Sequence, residues 1–260
     1  MLRVPARQMD LFTKEAALAF EDAMAAHVAE HFPVHARLLG PEGIGAVVRH
    51  AIGRSRAHGL YNQRSICLYL TVAMMLGGNF DEDVMLPWAA ALARTVRPEV
   101  RADEALRADD LTRQAMDLLD RVYGPRNDHV VQVLVALRAA LPVILSRPGE
   151  GPAAADPRLP RLLAQAFPRK HAAVGEEAVR RLIDAAGAGA ARHGIVRWRG
   201  TAVYTLCAFI LGSGFATDLT VPWAAQALAG EGGEEAAAAR LYAGGMAWID
   251  AFLSVGKERR

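Results

Sequence analysis

A Gly-Phe-Asp-Pro-Trp phrase is spelled twice in this chain, as "LGGNFDEDVMLPWAAAL" from Leu76 and as "LGSGFATDLTVPWAAQAL" from Leu211. The two phrases belong to a longer match. Phe32 and Phe167 stand 135 positions apart, and the same shift pairs Gly40 with Gly175, His58 with His193, Arg64 with Arg199 and Tyr69 with Tyr204. Across residues 32–93 and 167–228, roughly 18 of about 62 positions are identical without a gap. Self-similarity at one fixed shift is the mark of a repeated structural unit. A chain built this way is expected to fold as a tandem duplication of one small bundle.

Each copy reads as helices. Ile44, Val47, Val48, Ala51 and Ile52 recur at helical spacing and Gly59 follows as a stop; Val179, Leu182, Ile183 and Ala186 do the same ahead of Gly194. The next stretch, "NQRSICLYLTVAMMLGG", is apolar nearly all round, which predicts a buried central helix with a counterpart near residues 199–211. The repeated phrase is then the exit from that helix. Gly77 and Gly212 supply a left-handed residue, and Phe80 and Phe215 drop onto the core. Asp83 and Asp218 accept turn N–H groups, Pro87 and Pro222 open a new helix, and Trp88 and Trp223 anchor it.

Before the first copy, Phe12, Ala16, Phe20, Met24 and Val28 share one face of a helix that Pro33 ends. The second copy has only "RLLAQAF" in that place. Two further helices follow the first copy, and "GGEEAAAARLYAGGMAWIDAFLS" at the C-terminal end resembles the first of them. The Pro-, Gly- and Ala-rich stretch "RPGEGPAAADPRLP" predicts a linker. No alternating strand pattern occurs. The expectation is all-α, with a first unit at 1–146, a linker at 147–160 and a second unit at 161–260.

Composition removes several functional classes. Thirty basic and 28 acidic side chains nearly cancel, so there is no strong field for nucleic acid. The most apolar runs are about a dozen residues, against about 20 for a membrane-spanning helix, so no integral membrane segment is expected. Cys67 and Cys207 lie in apolar runs and suit buried thiols in a reducing compartment, and the N-terminal stretch lacks the apolar core of a signal. A cytoplasmic protein is expected.

The string "RHAIGRSRAHGLYNQRSICLYLTVAMMLGGNFDEDVMLPWA", with the preceding "HFP", resembles a family of small bacterial helical proteins. Its members show a Tyr-Gly-Ile-Thr phrase, an Arg-Asp pair, a Met-Phe-x-x-Gly run, Phe-Asp and Pro-Trp-Ala, and are commonly encoded among type VI secretion and polymorphic-toxin genes. The likeness covers about the first 95 residues well and the second copy more loosely. His58-Gly59 replaces Tyr-Gly, Tyr61 replaces Thr, and Gln63 and Ser65 replace the acids around Arg64. The resemblance carries no catalytic residue. It implies a protein partner, either a secretion-system component or a toxin, with this chain as an adaptor, chaperone-like or immunity-like factor.

Candidate chemistry is sparse. His27, Glu30 and His31 in "HVAEH" match the His-x-x-Glu-His pattern of a metal-dependent hydrolase, although Pro33 follows closely and the second copy has no His there. His58 and His193 suit helix C-termini, where a cation is favoured, and are with Arg64 and Arg199 the candidate ligand- or partner-binding residues. Arg64 and Arg199 begin the central helices, against the dipole, and call for a carboxylate partner such as Asp83 or Asp218, or an external anion. The expected function is non-enzymatic protein binding without a cofactor; the alternatives are the hydrolase and a membrane-acting effector.

Overall fold

The computed structural model describes residues 6–94, 104–125, 128–145 and 158–258, and among them it is all-α. The elements are α1 (Ala6–His31), α2 (Pro33–Ala57), α3 (Gln63–Leu76), α4 (Pro87–Arg94), α5 (Glu104–Tyr123), α6 (Val130–Leu145), α7 (Arg158–Ala166), α8 (Pro168–Val174), α9 (Glu176–Arg192), α10 (Trp198–Leu211), α11 (Pro222–Ala229) and α12 (Gly233–Glu258). Element ends recur at the 135-residue shift. Helix α3 matches α10, α4 and α11 start together, and short 3-10 turns at Phe80–Glu82 and Phe215–Thr217 occupy the same place. Kinked α2 corresponds to α8 plus α9. The break is a glycine with positive φ in both, Gly40 at 64° and Gly175 at 84°.

The sequence reading places the apolar faces well. Ile44, Val47, Val48, Ala51 and Ile52 are buried on α2, as are Val179, Leu182, Ile183 and Ala186 on α9. Met24 and Val28 are buried on α1 with Phe20 packed beside them, whereas Ala16, expected on the same face, is exposed because the helix there runs beyond the core; the Phe12 side chain lies outside the described residues. Both central helices lie in the core, and α10 buries every residue from Gly200 to Phe209. Cys207 is buried and Cys67 half-buried, both as free thiols. Trp88 and Trp223 are partly buried against the core.

Three features differ from expectation. Residues 33–39, ahead of Gly40, are helical. Arg158–Pro160, assigned to the linker, open α7, because Leu159, Leu162 and Leu163 make a short apolar face that drives the helix back to them; residues 147–157 of that linker lie outside the described residues. Helix α6, counted with the first unit, packs on α7, α10 and α12 of the second. Arg138 on α6 ties to Asp250 on α12 at 2.6 Å.

The repeated phrase also does something its sequence does not disclose: the two exits face each other. The Gly78 N–H donates to Asp218 Oδ2 at 2.8 Å, the Asn79 amide to the Gly214 carbonyl at 3.1 Å, and the Val84 N–H to Ser213 Oγ at 3.2 Å. Asp83 and Asp218 also fasten their own turns, accepting from the Met85 N–H at 2.9 Å and the Thr220 N–H at 2.7 Å. Gly77 and Gly212 have φ of 105° and 106°, and a Cβ on Gly77 would lie 2.8 Å from the Leu211 carbonyl oxygen. On either side the units clasp reciprocally. Helix α5 meets α8, with Tyr123 against Phe167, and α12 meets the start of α2, with Phe252 edge-on to His35 at 5.0 Å.

The glycines at this seam are therefore required twice, for backbone conformation and for space. Gly77→Ala is expected to destabilise the chain by about 3 kcal/mol or more, adding a backbone clash to the strain of positive φ. Gly40→Ala, where φ 64° and ψ 175° form a backbone essentially confined to glycine but a Cβ meets nothing within 4 Å, should cost less, about 1–3 kcal/mol from backbone strain alone. Urea unfolding of the two variants checks the difference.

Candidate functional site

The most concentrated polar group lies inside the first unit. Arg54 and His58 occupy the last turn and C-cap of α2, so they share one helix face. Asp81 sits in the 3-10 turn behind α3, its side chain wholly enclosed. The Arg54 Nε–H and Nη2–H donate to Asp81 Oδ2 at 3.0 and 2.6 Å, and His58 Nε2 donates to the same oxygen at 2.5 Å. Arg54 also reaches Glu82 at 2.8 Å. Tyr69 of α3 completes the group, its ring 5.9 Å from that of His58 and 5.0 Å from Phe80. Burial by itself would raise the Asp81 carboxyl pKa, but His58, Tyr69 and Arg54 together outweigh it and hold it below the ordinary value.

The second unit keeps the aromatic half of this group and drops the charges. His193 and Tyr204 remain, with rings 6.2 Å apart, but His193 is exposed. Gly189 stands where Arg54 would be and Ala216 where Asp81 would be. The Tyr204 hydroxyl fills the freed space, 2.8 Å from where a Cβ on Gly189 would be. So His58, expected as a simple cap, is a cap that also holds an enclosed carboxylate; its counterpart is a cap alone.

The expected ion pairs of Arg64 and Arg199 with Asp83 and Asp218 do not form. The arginines enter the central helices and the aspartates follow their exits, and a 14-residue helix is about 20 Å long. Arg64 instead pairs with Asp109 on α5 at 2.6 Å, in solvent. Arg199 is exposed and has no ion pair among the described residues. Asp83 and Asp218 spend their oxygens on the turns and the seam.

The helix entrances are held by two carboxylates that the sequence reading missed. Glu104 Oε1, at the start of α5, accepts the Tyr61 and Asn62 N–H groups at 2.6 and 2.7 Å. Glu234 Oε1, at the start of α12, accepts those of Val196 and Arg197. The recipients are equivalent residues of the two copies, so α5 and α12 play one role.

The His-x-x-Glu-His string is not arranged as a metal centre. His27 Nε2 is engaged with Thr71 Oγ1 at 3.0 Å, the His27 and His31 rings lie 4.5 Å apart, and Glu30 and His31 are exposed. Among the described residues no three His, Cys, Asp or Glu side chains converge as metal ligands. No helix among them is long and apolar enough to cross a membrane.

A small cavity of about 80 Å³ opens at the seam, where His35, Asp83 and Lys170 interrupt an apolar lining. His35 and Lys170 are equivalent residues of the two copies. Burial pushes the His35 imidazole down to about 4 and the Lys170 ammonium down to about 8, the latter partly offset by Asp83. Lys170 donates to the Ile210 carbonyl at 3.2 Å.

No protein-family model, curated protein or solved structure matches this chain. The chemistry must be argued from the residues alone. They show a first unit in which Arg54 and His58 hold an enclosed carboxylate through one of its oxygens, and a second whose entrance arginine has no ion pair among the described residues.

Two outcomes follow. Arg54→Gly leaves an enclosed carboxylate without its main partner and should cost about 3–5 kcal/mol, whereas Arg54→Gly with Asp81→Ala, the second unit's own solution, should cost clearly less than the sum of the single variants; a double-mutant cycle in urea checks this. His35 binds a proton less readily folded than unfolded. It therefore contributes stability above about 6.5 that is lost as pH falls toward about 4. Asp81 adds a further loss below the ordinary carboxylate range, and Asp218, whose carboxyl burial raises, acts in the opposite sense. His35→Gln should flatten the pH 6.5-to-4 part of the urea-midpoint profile; an unchanged slope there would refute the assignment.

Proposed function

We propose that the chain is a non-enzymatic binding protein, in which two fused helical units present surface to another protein. The observation that carries this reading is a pair of large apolar side chains held in solvent at equivalent places. Tyr61 is 65% exposed and Val196 59%, each beside the carboxylate that fixes its helix entrance. Leu106, 68% exposed, widens the first of these corners. Single exposed apolar side chains are ordinary on a protein surface. Two at the same position of two rigid corners are favourable for contact, since anchors already fixed in place lose little freedom on binding.

The family resemblance of the first copy makes the partner a component of a bacterial secretion system or a toxin, with this chain as adaptor, chaperone or immunity-like factor. The enclosed state of the Arg54–Asp81–His58 group favours this over catalysis, because a carboxylate with no exposed surface cannot meet a substrate.

Co-expression with the products of the flanking genes, followed by co-purification on a tag, tests the reading. A stoichiometric complex is expected, and Tyr61→Ser with Val196→Ser should weaken it about tenfold or more while leaving the thermal midpoint unchanged. Purified protein carrying one equivalent of a transition metal by elemental analysis, or a double variant that binds as the wild type does, would overturn it.

A further inference from the structure

A hollow of about 670 Å³ lies between α6, α10 and α12, lined by Arg197, Arg199, Val203, Glu234, Ala239 and Tyr242 among others. Its size falls within the range of ligand sites and well above the space of a few waters. The internal repeat shows what is different here. The capping bonds of Glu104 and Glu234 align α5 with α12 at a shift of 130 residues, and the buried positions agree: Ala108 with Ala238, Leu111 with Leu241, Leu119 with Ile249. In that register Ala239 takes the place of Asp109, the residue that neutralises Arg64 in the first unit at 2.6 Å. The second unit has kept the arginine, as Arg199, and replaced its carboxylate by a methyl group.

The other charges around the hollow are already engaged. Glu234 accepts the Val196 and Arg197 N–H groups, and Glu235 is paired with the Arg197 guanidinium at 3.2 Å. Among the described residues that leaves Arg199 as a cation without an ion pair on a lining that also carries the apolar Val203, Ala238, Pro142 and the ring of Tyr242. Exposed Val196 adjoins the same corner.

We propose that this hollow receives an acidic segment of the partner protein, with an Asp or Glu carboxylate taking on Arg199 the position that Asp109 occupies on Arg64. The inference rests on the protein-binding reading and gives its partner a chemistry. A guanidinium offers a carboxylate two parallel N–H bonds. The apolar walls accept a neighbouring aliphatic or aromatic side chain, so the segment that fits carries an acid beside an apolar residue.

The test uses the full chain and a fluorescein-labelled hexapeptide of alternating Leu and Glu, against the same peptide with Gln for Glu, read by fluorescence anisotropy. The Glu peptide is expected to bind about tenfold tighter or more, as one charge-assisted contact supplies. Arg199→Gln should erase that preference. Ala239→Asp should erase it too, by supplying the carboxylate from within, and Ala239 is exposed enough to accept the change. Arg64→Gln should leave the preference intact. Equal binding of the two peptides to the wild type, or a preference that survives Ala239→Asp in a folded variant, overturns the proposal. Either result leaves the co-purification test untouched, so the two readings fail separately.

Discussion

The fold turns on the meeting of two helix exits. At each, a glycine with φ near 105° ends a central helix, and the following residues are pressed against the same residues of the other copy. The contact tolerates no side chain at Gly77 or Gly78, since Asp218 and the Leu211 carbonyl fill the space where a Cβ would stand. Asp218 spans the seam from a buried position and accepts from three donors, the Gly78 N–H, the Thr220 N–H and the Thr220 hydroxyl, which offset part of the burial that raises its carboxyl pKa. A buried carboxylate without such donors would be too costly to hold charged. Everything outside the seam is arranged around it, with α5 on α8 at one side and α12 on α2 at the other.

Because the element ends recur at the 135-residue shift, the differences between the matched stretches are informative. The first encloses Arg54, Asp81 and His58; the second replaces the arginine and the aspartate by Gly189 and Ala216 and keeps the tyrosine. Losing both charges together avoids the expense of an unpaired one, which is why an ion pair tends to be deleted whole. At the helix entrance the second unit does the reverse, retaining Arg199 while losing the counterpart of Asp109. That arginine is in solvent, so leaving it unpaired costs the fold little and gives it freedom to bind something else.

The helices, their apolar faces and the repeat were legible because periodicity and a fixed shift are properties of local sequence. Gly77 follows the end of α3 and Pro87 opens α4 as local sequence signals, but Gly77, at φ 105° and ψ 147°, lies outside the left-handed helical region expected of it. The seam was not legible: nothing in "GGNFDED" says that its neighbour is "GSGFATD" rather than solvent. The Arg64–Asp83 pairing failed on a length that could have been checked, since the central helix separates the two residues. Arg54 and Asp81 escaped notice because each looks like ordinary surface charge. Their signal lay in the comparison of the copies, where both vanish together. Glu104 and Glu234 were hidden by the five-residue difference in spacing that moves α12 out of the 135-residue shift.

Helix α12 also differs from α5 in its spacing from the preceding helix and in its length. Among the described residues α4 ends at Arg94 and α5 begins at Glu104, whereas three residues, 230–232, lie between α11 and α12. Helix α12 is 26 residues long against 20 for α5, and an extra turn and a half reaches about 9 Å further. Phe252 and Asp250 both lie in the part of α12 that matches α5, and they tie it to His35 across the seam and to Arg138 on α6. The second unit thus gains a helix wall that the first lacks, and the entrance that lost its aspartate is the one enclosed by that wall. A deeper pocket and a freed arginine arise at the same corner, where a contact made by the one is reinforced by the shelter of the other.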